Sequence, residues 1–386
     1  MSKRESYLAF GTPDFTDAEI DAVARVMRSG WVGMGQETIS FERELSEYIG
    51  APEVVTVNSC TSALFLALLA EGVGPGDEVI VPSLTWCATA NAALYLGATP
   101  VFCDVNIHSL CVTPETIVAK VTPRTKVVVV VHYGGYAIDV DALREALPGN
   151  VAIVEDAAHA LGATYANGKR VGASGNSACF SFYANKNLST ADGGAIALFD
   201  ADKAERLRSL RMSGLASNAW SRYIKPSTVP AAGIAELGYK MNFTDLQAAI
   251  GRVQLRRLDD MAVQRKRVAA HYKARLPDDL PFQDEVFEER HARHLLVARF
   301  EPSKTGMSRN EILLALRARN VGASIHYAPL HRQPLYLDSN CGALPVTEHV
   351  AEEIMTLPIS ARMTIADADY VIEQLEQVLR NTKEAQ

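Results

Sequence analysis

The sequence lacks the patterns of a metal-binding protein or a disulfide framework. Its nine histidines are scattered along the chain, and no CxxC pair occurs. A metal site needs clustered ligands, so we predict no metal centre. Reduced core cysteines are typical of cytoplasmic proteins, and we predict that location for this chain. The six cysteines, most of them in apolar surroundings, are Cys60, Cys87, Cys103, Cys111, Cys179 and Cys341.

The chain also lacks the charge and hydropathy patterns of proteins that bind nucleic acids or membranes. Its net charge is −7, and it has no lysine and arginine run long enough to bind a nucleic-acid backbone. No apolar run reaches transmembrane length, and the N-terminal MSKRESYLAFGTPDF has no apolar core of a signal peptide. We therefore predict neither a nucleic-acid partner nor a membrane association. A local basic pocket for an anionic substrate stays compatible with this composition.

Internal repeats and low-complexity linkers are absent as well. Hydrophobic residues make up 48% and charged residues 22% of the sequence, a balance typical of globular proteins. The 386 residues exceed what one compact core usually holds. We predict a large domain over residues 1–250 and a smaller C-terminal domain over residues 251–386.

Strand and helix patterns alternate up to about Leu210. TDAEIDAVARVMRSG reads as a helix with Thr16 as N-cap, Glu19 completing a capping box and Gly30 past its end. Apolar strands such as VVTV, KVVVVVHY and VAIV then alternate with helices such as TSALFLALLAEGV. This order predicts an α/β fold whose central sheet is mostly parallel and flanked by helices. After about Asp245, a long charged helix, the strand HLLVARF and two further helices predict a smaller α+β part.

Four predicted strand ends carry polar or aromatic residues that a plain core would not need. Ligands of parallel sheets bind at the carboxyl ends of the strands, so these segments are the candidate site. The glycine-rich GVGPGD lies between a helix and a strand, the reverse of a dinucleotide fingerprint, and we interpret it as a turn. The four strand ends are Asn58 to Ser62, Ser83 to Trp86, Glu155 to His159, and Ser181 to Lys186.

Each strand end suggests one part of a cofactor site, with a structural alternative beside it. A buried Asp156 keeps its charge next to a cation such as a protonated pyridine nitrogen, or it is a helix N-cap or a Ser/Thr-bonded carboxylate. Trp86 can stack on a flat ring or pack in the core. NSCTSALFLALL opens a helix whose free N–H groups bind anions, or it is an ordinary N-cap. Lys186 beside these groups is arranged for a Schiff base, which predicts pyridoxal 5'-phosphate.

Several segments together carry a family resemblance: NSCTSALFLAL, GDEVIVPSLTWCATANAALYLGATPVFCDV, VEDAAHALGATY, SFYANKNLSTADGGAI, LGYKMNFTDLQAAIG and IHYAPLHRQPLY. Over nearly its whole length the chain resembles the DegT/DnrJ/EryC1 sugar aminotransferases, which are fold-type I pyridoxal-phosphate enzymes. The resemblance implies that Lys186 forms the internal aldimine and that Asp156 pairs with the pyridine nitrogen. It also implies that Trp86 stacks on the ring.

The same resemblance assigns further residues. Ser181 and the Cys60-Thr61 turn would bind the cofactor phosphate, and His159 would lie by the ring hydroxyl or the phosphate. Asn242 would reach the neighbour's cofactor phosphate across a homodimer interface with shared active sites. Three residues are candidates for substrate binding, with exposed surface residues as the alternative: Lys240 near the substrate, His331 at its mouth, and Arg222 for a carboxylate or diphosphate.

Some relatives carry histidine where Lys186 stands and perform dehydration, so this lysine favours transamination. The resemblance implies a ping-pong reaction in which L-glutamate leaves pyridoxamine 5'-phosphate and a nucleotide-linked 3-keto- or 4-keto-6-deoxyhexose accepts the amine. Two alternatives stay open. One is an enzyme acting on a keto-cyclitol or an aminobenzoate precursor in antibiotic biosynthesis. The other is a cofactor-binding regulatory or structural protein without catalysis, against which the intact Lys186 and Asp156 argue.

Overall fold

The computed structural model describes residues 4–215, 233–234, 236–283, 290–339 and 342–383. Arg222 and Cys341 lie outside the described residues. The strands are Glu53–Val57 (β1), Glu78–Pro82 (β2), Thr99–Cys103 (β3), Thr125–Val131 (β4), Ala152–Asp156 (β5), Ser177–Ser181 (β6), Gly194–Leu198 (β7), Leu296–Arg299 (β8) and Ile354–Leu357 (β9).

The α-helices among the described residues follow the alternation seen in the sequence and continue into the C-terminal part. They are Asp17–Ser29 (α1), Gln36–Ile49 (α2), Cys60–Ala70 (α3), Ala88–Leu94 (α4), Pro114–Val118 (α5), Val140–Ala146 (α6), Ala201–Leu210 (α7), Asp245–Arg275 (α8), Pro302–Thr305 (α9), Arg309–Arg317 (α10), Pro345–Glu353 (α11) and Ile365–Lys383 (α12).

Strands β1 to β7 form one sheet in the order β1-β7-β6-β5-β4-β2-β3. All neighbours from β6 to β3 pair in parallel, and β7 runs antiparallel to both β1 and β6. The predicted mostly parallel α/β fold is therefore confirmed. Because β1, β2, β4, β5 and β6 share one direction, their carboxyl ends meet at one edge of the sheet.

The sheet is covered on both faces, as its continuous apolar strands require. In β4, Val127 and Val129 pack in one core with α3, α4 and α7, while Val128 and Val130 pack in another with α2 and α6. This alternation follows from the two-residue period of a strand. Helix α3 is apolar on every side and is buried over most of its length, because it contacts β6, β7 and α4.

Helix α1 has the predicted ends. Thr16 is the N-cap, its capping box with Glu19 is complete, and Gly30 adopts the left-handed conformation after the last turn. These local signals need no tertiary information, because side chains within one turn satisfy the free backbone groups of a helix end.

The C-terminal part contains the antiparallel pair β8-β9 and its own core, to which α10 and α12 contribute. Helix α8 joins the two parts: its start packs on α1, and its second half contacts α12 through His271 and the segment just before α12 through Gln264, which donates to Met363 O. The predicted domain boundary near residue 250 falls inside this helix, and the division of the chain into two domains stays a prediction. Within the described residues, none of the helices is both long and apolar enough to cross a bilayer.

Candidate functional site

A cavity of about 450 Å³ opens at the carboxyl ends of the parallel strands. It lies where β1, β2, β5 and β6 end, so residues distant in sequence share one wall. Seven of the residues singled out from the sequence line it: Cys60, Thr61, Trp86, Asp156, His159, Ser181 and Lys186.

Asp156 ends β5 and is buried on the cavity wall. Its Oδ2 accepts a hydrogen bond from Thr89 Oγ1 at 2.7 Å, and its Oδ1 accepts one from the Ala158 N–H at 3.2 Å. Asp156 is thus bonded to a threonine, as the structural alternative predicted, and it also lines the cavity. Burial raises the pKa of Asp156, and the two hydrogen bonds and Lys186 oppose this effect. A cation in the cavity would stabilise its charged form.

Lys186 follows β6 in a turn in which its backbone N–H donates to Tyr183 O at 2.9 Å. Its side chain is partly buried on the cavity wall. Burial lowers the pKa of the Lys186 ammonium to about 8, and the opposite effects of Cys60 and Asp156 are smaller. A lysine with this pKa is partly in the neutral, nucleophilic form near pH 7 to 8.

The N-terminus of α3 closes another side of the cavity with Cys60 and Thr61. The first N–H groups of a helix have no intrahelical acceptor and favour anions. Gly194, at the start of β7, lies against this turn, and a Cβ there would be 2.6 Å from the Cys60 nitrogen. The site therefore requires glycine at this position, because any side chain would push the strand away from the helix N-terminus.

Trp86 is 60% exposed although it lies on the cavity wall, which excludes the alternative of a core tryptophan. Its ring lies 5.8 Å from that of Tyr327, at 52°. An indole with a free face at the cavity mouth is available for stacking on a planar ligand.

These side chains fit pyridoxal phosphate. Asp156 accepts only two of the four hydrogen bonds that a carboxylate can take from protein donors among the described residues, which leaves capacity for a ring N–H. The α3 N-terminus offers N–H groups for the phosphate, Trp86 offers an aromatic face, and Lys186 offers an amine for the aldehyde.

Substitution of Trp86 by leucine is expected to weaken binding of pyridoxal phosphate about fivefold, or about 1 kcal/mol, since one aromatic stacking contact is lost. Titrating cofactor-free protein with pyridoxal phosphate and following the indole fluorescence or the visible absorbance would measure this. Trp86→Phe is the matched control and should retain most of the affinity. Equal dissociation constants for all three proteins would contradict a stacking role for Trp86.

His159 lines the cavity and contacts the rings of Tyr133, His294 and Tyr327. Its Nδ1 accepts a hydrogen bond from the Gly134 N–H at 3.2 Å, and its Nε2 lies 3.1 Å from Tyr327 Oη. The Nε2 therefore carries the proton and donates it to the tyrosine oxygen. Burial, together with the positive charge of Lys186, lowers the pKa of His159 well below its usual range.

The cavity also contains residues that the sequence interpretation missed. His326 and Tyr327 line it, and so do Tyr183, Asn185 and Asp192. His326 and Tyr327 belong to the segment IHYAPLHRQPLY that was singled out for His331. Nothing local in that segment distinguishes the three residues, since their side-chain hydrogen bonds are with distant parts of the chain.

Two of the predicted substrate residues, Lys240 and His331, are not part of the cavity wall. The Nδ1 of His331 forms a hydrogen bond with Ser83 Oγ at 2.6 Å, and its Nε2 lies 3.2 Å from Glu348 Oε1. Its ring thus anchors a loop to the residue after β2, and its place at the substrate mouth stays a prediction. Lys240 is exposed, and Asn242 donates from Nδ2 to Phe243 O at 3.1 Å. The role of Asn242 across a dimer interface stays a prediction.

Comparisons with known proteins all find aminotransferases or proteins of polysaccharide biosynthesis. A model of the DegT/DnrJ/EryC1/StrS aminotransferase family matches residues 13–376. The chain is 39% identical over 389 residues to the spore coat polysaccharide biosynthesis protein SpsC of Bacillus subtilis (strain 168), covering 98% of this chain and 99% of that protein.

Solved structures give the same result. The putative sugar aminotransferase Spr1654 from Streptococcus pneumoniae, in its PMP-form, superposes with a TM-score of 0.89 at 31% identity, over 97% of this chain and 99% of that one. Spr1654 is also known in a PLP-form. The aminotransferase TlmJ from Streptoalloteichus hindustanus has a TM-score of 0.89 at 34% identity, over 97% of this chain and all of its own, 100%.

Proposed function

Because the chain belongs to the DegT/DnrJ/EryC1/StrS aminotransferase family, we propose that it transfers the amino group of L-glutamate to a nucleotide-linked keto-deoxysugar. It is a pyridoxal-phosphate-dependent sugar aminotransferase, and the donor and the exact class of sugar are the proposed part. The observation that carries the proposal is the cavity itself: an amine of lowered pKa, a buried carboxylate and an exposed indole line one space at the sheet edge.

The cofactor and the protein have separate tasks in this reaction. When bound, pyridoxal phosphate supplies a conjugated ring that takes up the electron pair left when a proton leaves the substrate α-carbon. Asp156 holds a positive charge on the ring nitrogen, since a buried carboxylate strongly favours a neighbouring cation. Ser181 and the α3 N-terminus would hold the phosphate, and Trp86 would stack on the ring.

Lys186 is the proposed general base and acid. Its Nζ would take the proton from the α-carbon of the amino donor and deliver it to the cofactor carbon that carried the aldehyde. The lowered pKa, about 8, suits this task because efficient proton transfer needs a group that titrates near the working pH. An unperturbed lysine would be almost fully protonated at pH 7 and unable to accept a proton.

Two observations support a bulky acceptor. Trp86 and Tyr183, which line the cavity, are 60% and 53% exposed, so its mouth is open and aromatic rather than sealed. SpsC is named for polysaccharide biosynthesis, and Spr1654 for putative sugar aminotransferase activity. We propose in addition that two copies form a homodimer in which Asn242 of one chain completes the site of the other.

Addition of L-glutamate to the protein loaded with pyridoxal phosphate is expected to remove the visible absorbance and to raise absorbance at shorter wavelength, as pyridoxamine phosphate accumulates. A nucleotide-linked 3-keto- or 4-keto-6-deoxyhexose should then restore the visible band. D-Glutamate is the matched control and should leave the spectrum unchanged. A spectrum that L-glutamate does not alter would contradict the proposed donor, and recovery with a keto-cyclitol alone would favour the carbocyclic alternative.

A further inference from the structure

A second histidine lies beside the reactive lysine but outside the cavity wall. His294 Nε2 is 3.5 Å from Lys186 Nζ, at the outer limit of hydrogen-bond distance. The His294 side chain is buried, and its ring lies tilted at 36° against that of His159 with 4.5 Å between centroids. His294 therefore contacts both the lysine and His159, and His159 lines the cavity.

The backbone around His294 directs this side chain at the lysine. Ala292 and Leu295 donate hydrogen bonds to the carbonyls of Gly135 and Gly134, both at 3.0 Å. Arg293 adopts a left-handed φ of 48°, a conformation that is unfavourable for a residue with a side chain.

Two contacts hold the backbone around Arg293 and His294 in place. A Cβ on Gly135 would lie 3.1 Å from the Arg293 nitrogen, so glycine allows the close approach. Asn187 Nδ2 donates to Ala292 O at 2.8 Å and ties the lysine loop to the same segment. Non-glycine residues in the left-handed region cluster at functional sites, where the surrounding contacts maintain them.

His294 differs from its neighbours in having no contact that selects its tautomer. Backbone N–H groups donate to Nδ1 of His159, His132 and His291, which leaves the proton of each neutral ring on Nε2. The Nδ1 of His294 has no hydrogen-bond partner in the described part of the chain. Its ring proton is therefore free to reside on either nitrogen, and the nitrogen that faces Lys186 can accept or donate.

This freedom matches what the lysine needs. When Nζ is an ammonium it has no lone pair, so Nε2 of His294 must accept its hydrogen bond. When Nζ is a neutral amine, Nε2 can accept an N–H or donate to the lone pair. The imidazole itself stays neutral, because burial and the nearby Lys186 charge lower the pKa of His294 well below its usual range.

We propose that His294 is a positioning residue that stays hydrogen-bonded to Lys186 Nζ in both protonation states of the free amine. It holds the amine at the cavity wall while the amine is detached from the cofactor and moves the substrate proton. The inference rests on the proposed role of Lys186. It assigns a role in the reaction to a residue of the segment HARHLL, which the sequence interpretation did not single out.

Replacement of His294 by phenylalanine is the direct test, because the ring stays and its nitrogens go. In full-length protein freed of cofactor, the pH dependence of Lys186 acetylation by acetic anhydride, quantified by mass spectrometry, gives the midpoint of the amine. A hydrogen bond to a charged group is stronger than one to a neutral group. The midpoint in His294→Phe should therefore fall by about one pH unit below that of the wild type.

His294→Gln is the matched rescue, since its side-chain amide again offers a donor and an acceptor near the lysine. The acetylation midpoint of this variant should lie close to that of the wild type. With L-glutamate and the loaded enzyme, His294→Phe should lower the rate of the spectral change about tenfold with little change in KM, and the glutamine variant should recover part of it. His108→Gln, at an exposed loop position, should behave as wild type in both measurements.

An unchanged or raised midpoint in His294→Phe would overturn the proposal, and so would equal losses in the phenylalanine and glutamine variants. The second result would show that the shape of the ring matters rather than its hydrogen bond. Borohydride reduction of the loaded wild type, followed by peptide mapping, distinguishes a failure of the proposed function from a failure of the role proposed for His294. Cofactor attached to a lysine other than Lys186 would overturn the proposed function, whereas attachment to Lys186 with an unchanged midpoint would overturn the role of His294 alone.

Discussion

Replacement of Lys186 by alanine is expected to lower kcat by at least about 1,000-fold, or about 4 kcal/mol. The variant loses both the amine that attaches the cofactor and the group that moves the substrate proton. Among the described residues of the cavity wall, alanine also removes the one amine, whose pKa is lowered to about 8. The histidines beside it have pKa values well below 6.5 and stay neutral, and an imidazole has no primary amine that could form an imine with the aldehyde.

Transamination rate and cofactor attachment would be measured side by side. Lys186→Ala should bind pyridoxal phosphate without a bond that borohydride reduction can trap. Lys169→Ala is the matched control, since Lys169 is exposed and distant from the cavity wall, and it should retain normal turnover. Normal turnover in Lys186→Ala, or reductive trapping of the cofactor in that variant, would contradict the assignment of the lysine.

Loss of activity in this variant should not reflect unfolding. Because the pKa of Lys186 is lowered in the folded state, the native protein binds fewer protons than the unfolded chain between about pH 8 and pH 10.5. Folding stability from this group therefore rises with pH across that window, and below about pH 8 the buried ammonium is a net cost. The melting temperature of Lys186→Ala at pH 7 should equal or exceed that of the wild type.

Substitution of Asp156 by asparagine is expected to lower kcat by at least about 100-fold, or about 2.7 kcal/mol. Asparagine has nearly the same shape and can still accept from Thr89 Oγ1, but it carries no negative charge. The ring nitrogen of the cofactor then loses the anion that keeps it protonated, and the electron pair from the substrate carbon is less stabilised. Breaking a buried charge pair by removing one partner typically costs 3–5 kcal/mol.

The measurement for this variant is the single-turnover rate with L-glutamate, together with the dissociation constant of pyridoxal phosphate. Both should worsen, and the visible band of the bound cofactor should shift because the ring nitrogen is no longer protonated. Asp260→Asn, at an exposed position of α8, is the control for loss of one negative charge. Wild-type rates in Asp156→Asn would show that the carboxylate is structural and serves only to bind Thr89.

Much of the fold could be predicted because its signals are local. Thr16 and Glu19 define the start of α1 within one turn, and the valine run of β4 has the composition of a buried parallel strand. The alternation of such elements predicts a parallel sheet and its ligand-binding edge. Asp156 and Lys186 could be predicted for a related reason, since Asp156 is a charged residue at the end of one apolar strand and Lys186 lies in the turn that follows another.

The exposure of Trp86 could not be predicted in this way. Its sequence neighbours, PSLT before it and CATA after it, suit a core residue as well as a cavity wall, and only packing of the chain around β2 leaves its ring 60% exposed. His331 shows the converse. It stands in the same segment as His326 and Tyr327, which line the cavity, yet its ring turns toward Ser83 and Glu348.

The sequence by itself determined the order of strands and helices, the family and the cofactor, because periodicity, capping and short motifs are properties of neighbouring residues. Only the tertiary structure decided which side chains surround the lysine. His294, His326 and Tyr327 lie more than 100 residues from Lys186 in sequence, and the C-terminal part brings them to the sheet edge by burying its own apolar core. The lowered pKa of Lys186 has the same origin, since it arises from burial, which no local pattern encodes.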